Sequence, residues 1–118
     1  MPEISKLAEE VESSLGEFPC EIPADGVTVE VRDSCIVDNG EWYAGTWSRQ
    51  SLRHGKGKVV YPDGSTYQGT WRNDQPSGNG RLISADGSYY IGDFSRGQKS
   101  GNGELVNANG SFYTGEWK

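Results

Sequence analysis

The sequence is poor in the residues that catalysis, metal binding and membrane crossing require. It has one histidine, two cysteines and one methionine in 118 residues. His54 has no nucleophile or ligand set recurring around it, so the pattern itself accounts for it and a catalytic or metal role lacks partners. Cys20 and Cys35 have neither a CxxC spacing nor a histidine nearby, and two reduced thiols are expected in preference to a disulfide. No apolar run approaches the roughly 18–20 residues of a membrane span, and no signal peptide opens the chain. The expected place is the cytoplasm, with a membrane or cytoskeletal surface as the alternative station. Gly55-Lys56-Gly57-Lys58 lacks the Walker spacing and precedes no helix, so no nucleotide site is argued. Asp63 and Asp86 could be read as paired carboxylates, but their place in Asp-Gly turns explains them better. The chain is read as no enzyme, with no cofactor and no metal, and it shows no strongly basic face for nucleic acid.

Aliphatic residues are scarce too. Hydrophobic residues make up 33% of the chain and the mean hydropathy is -0.72. What is present instead is 17 Gly with four Trp, six Tyr and three Phe. Turns and close backbone approaches must therefore be frequent, and rings must supply most of the buried area. The net charge of -6 is unevenly spread. Residues 1–42 carry two Lys/Arg against eleven acids, and residues 43–118 carry nine against six. An acidic head precedes a mildly basic body.

The body is periodic. Tyr43-Ala44-Gly45-Thr46-Trp47 returns as Tyr67-Gln68-Gly69-Thr70-Trp71, Tyr90-Ile91-Gly92-Asp93-Phe94 and Tyr113-Thr114-Gly115-Glu116-Trp117. Such a period marks a repeat architecture. Each repeat divides into two strands. The first is the Tyr-x-Gly-x-aromatic phrase, and the second follows a loop and the pair Gly-x-Gly, as at Lys58-Val59-Val60-Tyr61, Arg81-Leu82-Ile83-Ser84 and Glu104-Leu105-Val106-Asn107. Asp63-Gly64, Asp86-Gly87 and Asn109-Gly110 then predict two-residue type I′ turns. Glycine weakens a strand, so its regular return between large rings implies slots in which neighbouring rings lie. A buried ring is worth about 2–3 kcal/mol, against about 5–15 kcal/mol for a whole small domain. Trp71→Ala is therefore predicted to unfold the array, and an unchanged melting temperature would refute a ring-built core.

Ahead of the repeats, residues 1–16 read as an amphipathic helix, because Ile4, Leu7, Ala8, Val11 and Leu15 share a face while Glu9, Glu10 and Glu12 point elsewhere. Residues 17–26 read as a linker, and residues 27–42 as a degenerate hairpin that caps the array. The helix is marginal alone and needs a partner, either the repeats or another chain.

The phrase Tyr-x-Gly-x-Trp, followed by His-Gly-x-Gly and Asp-Gly, closely resembles the MORN repeat (membrane occupation and recognition nexus). Repeats are read at 43–66, 67–89 and 90–112, with a partial one at 113–118. Ser77 and Ser100 stand where His54 does in the first repeat, Phe94 replaces a Trp, and the loop from Trp47 to Gly55 is one residue longer than its equivalents. The resemblance implies an all-β fold, an elongated single-layer antiparallel sheet of stacked hairpins with a concave aromatic groove. It also implies an interaction or scaffold module that binds a protein partner. On that reading a helix or extended peptide lies on Tyr43, Trp47, Tyr67, Trp71, Tyr90, Phe94, Tyr113 and Trp117. The alternatives are anionic phospholipid held by Arg49, Arg53, His54, Lys56 and Lys58, or an accessory region of a larger enzyme. The acidic helix could itself occupy or gate the groove, and the last strand, at 113–118, offers an edge for a homo-oligomer.

Overall fold

The structure, a computed structural model, describes residues 3–19, 21–22 and 25–117. Among these residues one α-helix, α1 (Lys6–Leu15), precedes nine strands: β1 (Val29–Val31), β2 (Cys35–Ile36), β3 (Trp42–Ser48), β4 (Arg53–Val60), β5 (Thr66–Arg72), β6 (Gln75–Ile83), β7 (Tyr89–Ser95), β8 (Gln98–Val106) and β9 (Phe112–Trp117). From β3 onward each strand pairs antiparallel with the next, giving an open meander and a single sheet. Cys35 is a free, exposed thiol, and Cys20 lies outside the described residues.

The capping segment differs from the expected hairpin. β1 and β2 do not pair with each other; both pair antiparallel with β3, β1 along Thr46–Ser48 and β2 along Trp42–Tyr43. They are two pieces of one interrupted edge strand, since Arg32-Asp33-Ser34 contains no residue pair suited to a tight reversal.

The turns also differ from expectation, in an exchange of roles. Gly64, Gly87 and Gly110 have positive φ, but Asp63, Asp86 and Asn109 do not, so these are not I′ turns. The Gly64 N–H donates to Tyr61 O and the Tyr61 N–H to Ser65 O, which makes a three-residue loop ending in a left-handed glycine. The Ser65 N–H and hydroxyl both donate to Asp63 Oδ1 and hold that carboxyl below its usual range. The two-residue turns lie at the other end of the strands, at Asn73-Asp74 and Arg96-Gly97, where both residues have positive φ. Strands β6 and β8 therefore begin earlier than expected and contain the Gly-x-Gly pairs.

Each of these repeats has a register shift within its first hairpin, between Gly45 and Trp47, Gly69 and Trp71, and Gly92 and Phe94. The side chain in the middle fills it. Thr46 Oγ1 donates to His54 O and accepts from the Lys56 N–H at 3.0 Å, Thr70 donates to Ser77 O, and Asp93 Oδ2 accepts from the Asn102 N–H. The facing glycine, Gly55 or Gly78, has φ near +90° and leaves room for the hydroxyl.

Candidate interaction faces

Alternation puts the repeat's rings on one face of the sheet and the intervening side chains on the other. On the ring face, Tyr43, Tyr67 and Tyr90 each lie across a glycine of the following strand, Gly57, Gly80 and Gly103, whose missing side chain makes the space. Each phenol donates to the carbonyl three residues on, Tyr43 to Thr46 O and Tyr67 to Thr70 O at 2.8 Å, Tyr90 to Asp93 O at 3.1 Å. The rings meet edge to face in one unbroken series, Trp47–Tyr43–Trp71–Tyr67–Phe94–Tyr90–Trp117–Tyr113, with centroids 4.9–5.4 Å apart. This is the favoured geometry of aromatic pairs. Tyr43, Trp47, Tyr67, Trp71, Tyr90 and Phe94 are all buried, whereas Tyr113 is 50% exposed and Trp117 is half-buried. Along most of its length the ring series is packed core, and its accessible surface is concentrated at the β9 end.

The five cations read as one patch are divided by the same alternation. Arg53 is buried on the ring face, 4.6 Å above the Trp71 ring, with Nε bonded to Asp74 and Nη1 to Glu41. Burial opposes its charge, but the two carboxylates outweigh burial and raise its pKa. His54 is buried with Nε2 2.6 Å from Asp25 Oδ2, while its Nδ1 faces the Asn73 N–H. Because Nδ1 accepts there, the proton resides on Nε2 and is donated to Asp25. The Val27 N–H and His54 together draw the Asp25 carboxyl below its usual range. Lys58 is paired with Glu12 at 2.7 Å. Only Arg49 and Lys56 of the five remain exposed; Lys56 shares the face opposite the rings with Lys58, while Arg53 is held among the rings.

The opposite face carries the acidic helix, for which the sequence leaves the groove as one possible seat. α1 lies on this face, not among the rings. Ser5 caps it by accepting from the Ala8 N–H, and the same residue pins it to two turns, donating its N–H to Gly64 O and its hydroxyl to Ala85 O. Ala8 is fully buried, small enough to bring the helix close. Gly16, with φ 79, ends the helix as expected. Glu12 reaches Lys58, and Phe18 just beyond lies 5.7 Å from the Arg81 guanidinium. Burial lowers the Arg81 pKa, opposed by Glu12. The strand register lines up a row on this face, Val60, Thr66, Ile83, Tyr89, Val106 and Phe112. Its first three members lie beneath α1 and are buried, while Phe112 is 72% exposed. Nothing in α1 taken alone says which face it takes; the signal lies in the residue between the second glycine and the aliphatic, Lys58 or Arg81, which offers a cation to an acidic helix.

A family profile, the MORN repeat, matches residues 43–66, 67–89 and 90–112. The chain belongs to the MORN repeat family. Those three spans coincide with the three hairpin units whose rings interlock, and MORN repeats are modules of protein and membrane interaction. No curated protein matches the chain. Among the described residues, no group of three or more His, Cys, Asp or Glu could hold a metal ion, and no helix is long and apolar enough to cross a membrane.

Proposed function

We propose that this MORN array is a non-catalytic docking module for a protein partner, and that the partner lies on the face opposite the rings. The observation that carries the reading is the seat of α1, where a helix of the same chain already lies on this face through capping bonds, an ion pair and a buried alanine. A face that takes a helix in cis has the shape to take one in trans. The ring face, which the resemblance favours, retains accessible aromatic surface at Tyr113 and Trp117 and is the lesser candidate. The test is Ala8→Glu, which unseats α1 without touching the rings. The variant should keep its aromatic circular dichroism and take up an added peptide of residues 3–16, with amide shifts at Lys58, Thr66 and Ile83. A folded variant that leaves those amides unmoved would sink the reading.

Anionic lipid is a second reading, favoured by exposed Arg49, Arg72 and Arg96 at the three turns along one edge of the sheet. Each basic residue near an anionic surface is worth only about 1 kcal/mol, so the three must act together. Salt-sensitive pelleting with vesicles containing phosphatidylserine, absent with neutral vesicles, would support lipid over protein.

A further inference from the structure

The helix-bearing face is only partly covered, and its covered and open parts differ in charge. Under α1 the face presents Lys58 and Arg81, matched by Glu12. Beyond α1 the register continues through Tyr89, Ile91, Val106 and Phe112, with Asp93, Glu104 and Glu116 on the same side. No lysine or arginine occurs among the side chains that β7, β8 and β9 direct to this face. The two carbonyl positions that receive Ser5, at Gly64 and Ala85, recur one period on at Gly87 and Ala108. The flank of this open stretch is α1 itself. Leu7, 52% exposed, and Val11 are the side chains nearest to Gly87. A cleft of about 850 Å³ lies alongside, lined by Phe18, Thr70, Asn79 and Ile91 among others.

We infer that this open stretch is a second helix seat, and that its occupant is a basic amphipathic helix of a partner protein. Its apolar stripe would lie on Tyr89, Val106 and Phe112 with Leu7 as a side wall, and its cations would meet Glu104 and Glu116. The inference rests on the reading that the face opposite the rings is the partner face, and it adds the partner's charge and position. Complementary charge sets which helix takes which seat. The acidic α1 fits the seat with Lys58 and Arg81, and it is repelled by the seat with Glu104.

The probe is a peptide of residues 3–16 carrying Glu9→Lys, Glu10→Lys and Glu12→Lys, titrated into the full chain and followed by amide shifts. Shifts are expected at Tyr89, Ile91, Val106 and Phe112, with affinity weakened roughly tenfold by Glu104→Lys and by added salt. Phe112→Ser, at an exposed position, should weaken it comparably while leaving the fold intact. The unmodified acidic peptide should bind this seat at least about tenfold more weakly. Binding that ignores both substitutions, equal binding by the acidic peptide, or shifts confined to the rings would overturn the inference. So would self-association of the wild-type chain that Phe112→Ser abolishes, which would make a second copy the occupant. If the basic peptide fails while Ala8→Glu still captures the acidic peptide, the second seat is lost and the partner face stands.

Discussion

At Gly57 the Tyr43 ring rests directly on the backbone of β4, and a Cβ there would fall within the phenol. Gly57 has no positive φ to protect, so Gly57→Ala tests packing alone. Displacing the ring should cost about 1–3 kcal/mol, read as a fall in the melting midpoint, whereas Gly97→Ala would test only the backbone, since nothing lies within 4 Å of a Cβ at that position. The hydroxyl of each repeat tyrosine has a separate duty. Tyr67 donates to Thr70 O at the register shift, where the strand cannot satisfy that carbonyl in the usual way. Tyr67→Phe preserves the ring stack and leaves the acceptor buried, at a cost of about 1–2 kcal/mol. Chemical denaturation with an unchanged slope should report it; a loss below about 0.3 kcal/mol would mean that water serves the carbonyl equally well.

Among the elements, the strands and helix were legible while the placement of the helix was not. The recurrence of Tyr, Gly and Trp made the hairpins readable because each position answers to one local demand, a ring to bury or a glycine to make room. The turns were half-readable. Asp-Gly marks a reversal, but Ser65, which bonds Asp63 two residues earlier, selects the three-residue form, and Asn73-Asp74 was hidden by neighbours that read as loop. The face taken by α1 depends on Ser5 meeting two turns 21 residues apart and on Glu12 meeting Lys58, contacts that no local pattern contains. The same holds for Arg53 and His54, whose basic spacing suggests a patch but which meet Asp74, Glu41 and Asp25. The helix seat gives a direct prediction. Glu12→Lys sets three cations together at Lys58 and Arg81 and should release α1, seen as faster amide exchange at Ala8 with the ring face unchanged. Adding Lys58→Glu should restore part of the protection, with a coupling of about 0.5–1 kcal/mol for this half-exposed pair. No coupling would mean that Ser5 and Ala8 alone hold the helix.

For the whole molecule, the ring series joins the repeats into one cooperative body, since every ring contact between units bridges a tyrosine of one repeat and the aromatic of the next. Alkaline pH should therefore unfold the array as a unit. Burial raises the Tyr43 phenol far above its usual pKa of about 10 and pushes Tyr61 up to about 12, and Tyr90 is raised as well. A phenol that ionises near 10 when unfolded, and later when folded, holds its proton longer in the native state. Stability is thus level below about pH 10 and falls as pH rises through the window up to the folded pKa. Phenolate absorbance from the buried rings should appear together with the loss of near-ultraviolet circular dichroism, in one transition. Tyr61→Phe removes one such group from the edge of the core, where only a hydroxyl and its titration are lost. It should flatten the decline between about pH 10 and 12 by an amount on the order of 2 kcal/mol while leaving neutral stability nearly unchanged. Gradual phenolate formation from a chain that keeps its aromatic dichroism would show the rings to be open to solvent, and would return the ring face to candidacy as the partner's surface.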